Sequence, residues 1–156
     1  MANYKDSYFD RNVEGNNIAE TRCVEFLDSR ENFYWCKFGF DGWKIPFKHF
    51  IKIPDVIRKI PDYVCVGRKA FFLECKGYKG FLKIKEDDFR GYSYWNGLME
   101  LYFFAYDCDT KTSWVVSYKK INTLIDELSE IGRYPDNKKI FYKIRTEDIR
   151  RCGKQV

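Results

Sequence analysis

The 156-residue chain carries 28 Lys and Arg against 23 Asp and Glu, a formal net charge of +5, with 45% apolar and 19% aromatic residues. That composition argues for a packed core and against disorder, and the length fits one domain, 1–156, burying about two-thirds of its unfolded surface. No run approaches the roughly 20 apolar residues that span a bilayer, and the opening MANYKDSYFDRN has no signal-type apolar stretch, so the expected location is the cytoplasm, with no membrane partner.

After a loose arm over residues 1–14, GNNIAETRCVEFLDSREN (15–32) reads as a helix, with Glu20, Cys23, Val24 and Leu27 sharing its apolar side. FYWCKFGF (33–40) reads as a first strand, ended by the hairpin signal Asp41-Gly42. Prolines 46, 54 and 61 interrupt the next segment, read as a loop with short strand or turn pieces in which Asp55 caps a turn. Residues 63–68 and 70–77 follow as neighbouring strands joined through Gly67, and then a helix begins at Asp87 or Asp88. Strands at 101–106 and 113–118 form an antiparallel pair around a turn. A helix over 122–131 stops at Gly132, a short strand spans 139–145, and a final turn or helix is capped by Thr146.

Six cysteines, at 23, 36, 65, 75, 108 and 152, include no C-x-x-C pair and accompany a single histidine, His49. They read as small buried hydrophobes in a reducing compartment rather than as zinc ligands, and His49 as a packing or phosphate-contact residue.

The chemistry concentrates in IPDYVCVGRKAFFLECKGY, residues 60–78. A period of two along 70–77 places Glu74 and Lys76 on one face with Phe72, and Phe71, Leu73 and Cys75 on the other. Asp62, at the start of the preceding strand, can then lie near both. Two carboxylates suit a hard cation, and an ammonium beside them can position a nucleophile. Two other acid-x-lysine triplets, Asp109-Thr110-Lys111 and Asp136-Asn137-Lys138, lie in turn or loop sequence without an apolar strand around them. The alternative for Glu74 and Lys76 is a pair of ordinary same-face strand charges.

Pro61-Asp62 followed by Glu74-Cys75-Lys76 resembles the PD-(D/E)xK, or restriction-endonuclease-like, nuclease superfamily. The likeness covers 15 to about 118, with 119–156 as an extension. It implies an α/β fold with a mixed central sheet flanked by helices, agreeing with the element order read from the residues. It further implies an acid on the N-terminal helix, for which Glu20 ranks first and Glu25 second. The implied cofactor is Mg²⁺, with Mn²⁺ as a substitute, held by Asp62, Glu74, the Cys75 backbone carbonyl and Glu20, while Lys76 orients the attacking water or the phosphate. The products would carry a 5′-phosphate and a 3′-hydroxyl. Many relatives place a glutamine or another polar residue on the helix after the E-x-K strand. No glutamine stands there in this chain, leaving Arg90, Ser93 or Asn96 as substitutes.

Short length and the absence of an added reader domain resemble the Holliday-junction-resolvase-like subset of phage, archaeal and mobile-element nucleases, which implies a DNA partner recognised through branches or ends. A branched substrate favours a homodimer. Lys48, Lys79, Lys83 and Arg90 are the cations expected to meet phosphates. Tyr92, Tyr94 and Trp95 are read as core residues first and base-stacking residues second. Two rival readings stand beside the nuclease: a catalytically silent nuclease-fold module that binds nucleic acid or protein, and a small interaction protein with an aromatic surface.

Overall fold

The computed structural model describes residues 18–40 and 45–156. The Asp41-Gly42 hairpin signal, the arm over 1–14 and the start of the first helix lie outside them.

Helix α1 is described over residues 18–28 and buries Ala19, Cys23 and Leu27, spaced four apart on one stripe. Strand β1 follows at Tyr34–Lys37, shorter than the expected 33–40. The proline-rich stretch forms two single-turn helices, α2 (Phe47–Phe50) and α3 (Asp55–Arg58). In α3 the N-cap is Pro54. Asp55 stands one position inside, where it pairs with Arg58 at 3.1 Å.

Strands β2 (Tyr63–Val66) and β3 (Ala70–Tyr78) are antiparallel, with Tyr63 opposite Leu73. An additional strand, β4 (Phe81–Lys85), leads into α4 (Glu86–Leu98). Strand β5 (Leu101–Asp107) then runs parallel to β3, with Glu74 beside Phe103, and β6 (Thr112–Ser117) is its antiparallel partner. The expected mixed central sheet flanked by helices is therefore present. Helices α5 (Tyr118–Leu128) and α6 (Thr146–Cys152) and strands β7 (Glu130–Arg133), β8 (Ile140–Arg145) and β9 (Lys154–Gln155) complete the chain. The central sheet has the order β1-β2-β3-β5-β6-β9, and β4-β8-β7 form a second sheet.

Alternation along β3 and β5 divides the core. Leu73, Cys75, Phe104 and Tyr106 face α1, whereas Phe72, Tyr78, Phe103 and Ala105 face α4, α5 and the small sheet. Glu74 and Lys76 belong to the second set and stand between Phe72 and Tyr78 in the same row.

The C-terminal third differs from its sequence reading. Helix α5 ends at Leu128 rather than at 131, because Glu130–Arg133 pair with residues 140–143. Ile131 is consequently exposed. Gly132 is a mid-strand residue instead of a helix stop, and it accommodates the Phe141 ring. Thr146 does not cap α6 through its side chain; it is the first helical residue, and its hydroxyl donates to the Gly80 carbonyl at 2.9 Å. All six cysteines are free thiols. No helix among the described residues is long and apolar enough to cross a membrane.

Two glycines test this packing in opposite directions. A Cβ at Gly132 would lie 2.5 Å from Cζ of Phe141, whereas one at Gly97 meets nothing within 4 Å. Gly132→Ala should lower the unfolding free energy by about 1–3 kcal/mol, as overpacking does. Gly97→Ala should raise it by roughly 0.5–1 kcal/mol through helix propensity. Urea titrations followed by circular dichroism measure both.

Candidate active site

Asp62 and Glu74 are held together through the backbone. The Asp62 N–H donates to Glu74 Oε2 at 3.2 Å, and the Cys75 N–H donates to Asp62 Oδ2 at 2.7 Å. Each carboxylate thus takes a main-chain donor from the other's strand. The Asp62 carbonyl accepts from the N–H groups of Phe38 and Gly39, at 2.7 and 3.1 Å, which fixes the start of β2 against the chain leaving β1. Gly39 permits that approach, since a Cβ there would lie 3.3 Å from the Asp62 Cα. Relative exposures of 7% for Asp62 and 5% for Glu74 make this a buried pair rather than surface strand charges.

Lys76 and Tyr92 complete the coordination of Glu74. Oε1 receives the Lys76 ammonium at 2.6 Å and the Tyr92 hydroxyl at 2.5 Å, and the same ammonium lies 5.6 Å from the centre of the Tyr92 ring. Burial alone would lower the Lys76 pKa. Attraction to Glu74, with smaller contributions from Tyr92, Asp62 and Asp88, outweighs it and holds the pKa well above the usual lysine value. Lys76 is therefore an ammonium at neutral pH. The Tyr92 hydroxyl is pushed well up by burial and then by Glu74, so it is a neutral donor.

Asp88 stands one turn before Tyr92 on α4 and pairs closely with Lys59, just after α3. Burial opposes its ionisation, but Lys76 and Lys59 more than compensate, and its pKa falls below the usual carboxylate value. Lys59 packs over Gly91, where a Cβ would lie 2.7 Å from the lysine Cγ, so the glycine lets the chain after α3 close against α4. Asp88, Tyr92 and Trp95 follow an i, i+4, i+7 spacing on the face that α4 turns toward the sheet. That periodicity was available in the sequence, but Asp88 looked like a cap and Tyr92 like simple core.

The other site expectations separate. The Glu20 carboxylate lies 3.6 Å from the Lys37 ammonium on β1, and no group of three or more His, Cys, Asp or Glu side chains arranged to hold a metal occurs among the described residues. The buried stripe of α1 runs through Ala19, Cys23 and Leu27, leaving Glu20 half-buried at its border. Glu25, the second choice, is exposed and pairs with Arg22 at 2.8 Å. Arg90 and Ser93 are exposed on α4, and Asn96 accepts the Leu101 N–H at 3.0 Å. Asp88 and Tyr92, not these three, are the polar residues that α4 turns toward Lys76. Lys48, Lys79 and Lys83 are exposed, with the Lys83 ammonium 5.3 Å from the centre of the Phe141 ring. His49 is exposed on α2, and Tyr92 and Trp95 are buried whereas Tyr94 is exposed.

No protein-family model matches the chain, and no curated protein matches it. Among solved structures it is similar to D212, a nuclease from a fusselovirus, with a TM-score of 0.46 and 12% identity over 99% of this chain and 89% of that chain.

Asp62 and Glu74 supply oxygen, and the Cys75 carbonyl shares the strand side on which its N–H meets Asp62. Three carboxylates, Asp62, Glu74 and Asp88, stand with the ammonium groups of Lys59 and Lys76.

The Asp88 shift sets a pH dependence. A carboxylate whose folded pKa is depressed contributes stability above its unfolded pKa of about 4, and that contribution disappears as pH falls through the folded value. Asp88→Asn should flatten the acid limb of the unfolding free energy below pH ~4, measured by urea titration across pH. Tyr92→Phe, which removes a buried donor from Glu74, should cost about 1–3 kcal/mol at pH 7.

Proposed function

We propose that the chain is a Mg²⁺-dependent endonuclease that hydrolyses phosphodiester bonds in DNA, with Mn²⁺ as an alternative ion. The observation that carries this reading is the interlocked pair Asp62 and Glu74 with the Lys76 ammonium on Oε1. Asp62, Glu74 and the Cys75 carbonyl would hold the ion, which when bound supplies charge stabilisation and a lowered water pKa. Glu20, paired with Lys37, would bind a second ion directly or through water.

Lys76 acts by charge. Its raised pKa keeps it protonated, so it donates to a phosphate oxygen or orients water and does not take a proton. Its side chain is 23% exposed while that of Glu74 is 6% exposed, so the ammonium is the part of the pair that reaches the surface. Tyr92 holds Glu74, and Asp88 with Lys59 braces the α4 side. Lys48, Lys79, Lys83 and Arg90 supply exposed cations for phosphates outside the reacting centre. Preference for branched DNA or ends, and action as a homodimer, follow from the family resemblance and belong to this proposal.

A silent nucleic-acid or protein-binding module is the second reading, favoured by one observation. Both Glu74 oxygens already have protein donors, from Asp62, Lys76 and Tyr92, which is how a purely structural carboxylate is accommodated.

Cleavage of supercoiled, single-stranded and branched DNA and of RNA, each with Mg²⁺, Mn²⁺ or EDTA, separates the two. The nuclease reading expects metal-dependent products that fall about 100-fold or more in Glu74→Gln and Lys76→Met, with folding checked by circular dichroism. Mg²⁺ should also raise the melting temperature of the wild type and not of Asp62→Asn. Tight binding without products would select the silent module, and cleavage unaffected by EDTA would exclude the metal-dependent reading.

A further inference from the structure

The side of the central sheet that carries α1 has its own cleft, remote in composition from the carboxylate pair. A cavity of about 720 Å³ opens between the end of α1, the β2–β3 turn, the first residues of β3 and β5, and the segment from α6 to the C-terminal residues. Its floor is aromatic. Phe33, Phe71 and Tyr102 stand edge to face, with successive ring centres 5.6 Å apart, and all three are only half-buried. The Phe33 ring reaches this position because Gly67 has no Cβ, which would otherwise lie 2.8 Å from it.

The rim is basic. Arg30, Arg68, Lys69, Lys120 and Lys154 line it, against a single acidic side chain, Glu100, which already accepts from the Tyr102 hydroxyl at 3.2 Å. Among the described residues Arg30, Arg68, Lys69 and Lys154 have no carboxylate partner, although such partners are common elsewhere on this surface. An occupant must therefore bring negative charge for the rim and flat apolar surface for the floor. An acidic peptide supplies the first and not regularly the second. A single strand of nucleic acid supplies both at every residue, its phosphates to the cations and its bases to Phe71 and Tyr102.

We propose that this cleft is a binding site for single-stranded nucleic acid, on the sheet face opposite Glu74 and Lys76. Phe72, Glu74 and Lys76 point one way from β3, and Phe71 and Leu73 point the other into the cleft. Binding here needs no divalent ion, so it stands or falls separately from the nuclease reading.

The test uses the full chain in EDTA with a fluorescein-labelled oligothymidylate, read by fluorescence anisotropy, and a bromodeoxyuridine-substituted strand for photo-crosslinking. Arg68→Glu with Lys69→Glu, both in an exposed turn, should weaken binding about tenfold or more and reduce the salt dependence. Tyr102→Leu, which keeps apolar bulk and removes the ring, should weaken it about fivefold or more. Crosslinks should map to the peptides that contain Phe71 or Tyr102. Unchanged affinity in these variants, or crosslinks confined to residues 79–90, would overturn the proposal. Equal affinity for polyglutamate would assign the cleft to an acidic peptide, and sedimentation showing self-association abolished by the charge reversals would assign it to a second copy. Loss of cleavage in Glu74→Gln with oligothymidylate binding intact is the expected pattern if both readings hold.

Discussion

The exchange of hydrogen bonds between Asp62 and Glu74 is the constraint on which the arrangement rests. A buried carboxylate without donors costs several kcal/mol, and two side by side add mutual repulsion. Here the start of β2 and the middle of β3 each supply a main-chain N–H to the other strand's acid, so the cluster is satisfied only while these strands keep register. A slip of one residue would turn Glu74 and Lys76 toward α1, among Cys23, Leu27 and Phe104, away from the Tyr92 hydroxyl and from the main-chain donor at Asp62. The carboxylate pair thereby specifies register as well as chemistry.

How much of this was legible follows from which interactions are local. The strand carrying Glu74 and Lys76 could be read because apolar alternation in AFFLECKGY gives face and period directly. The split between Phe72 and Phe71, the parallel neighbour at residues 101–107 and the helix between them also have local signals. The C-terminal third lacks them. Ile131 extends a helical spacing that begins at Ile121, yet residues 130–133 take strand form because β8 offers them partners, a tertiary gain that outweighs the local pattern. Strand β4 is similar: FLKIK alternates, but its partner β8 lies nearly sixty residues later.

The site itself was legible along the strand and illegible across it. The proximity of Asp62, Glu74 and Lys76 follows from spacing, whereas the depth of Glu20 does not, because an acid beside an apolar stripe reads as buried when it can equally border the stripe and meet Lys37. The helix after β4 gave too little weight to Asp88 and Tyr92. Their importance depends on Lys59, brought to α4 by the chain after α3 and admitted by Gly91, and no spacing rule links residue 59 to residue 88.

Stability alone does not account for the cluster. The row Phe72, Glu74, Lys76, Tyr78 faces a core of Phe103, Ala105, Trp95 and Leu101, and apolar residues at its two central positions would join that core with no desolvation to offset. Lys76 sharpens the point. Burial opposes its charge, and only the surrounding acids and Tyr92 restore it, so the fold spends interactions on keeping an ammonium protonated at the border of the core. A charge maintained against its own desolvation, beside two interlocked carboxylates and less than a quarter exposed, is suited to meeting an anion that arrives from outside. The basic, aromatic cleft across the sheet has the opposite construction, with no buried acid and cations such as Arg68 and Lys69 that the described carboxylates leave unpaired, so the two faces differ in kind: one holds buried, mutually paired charges, the other exposed cations around half-buried rings.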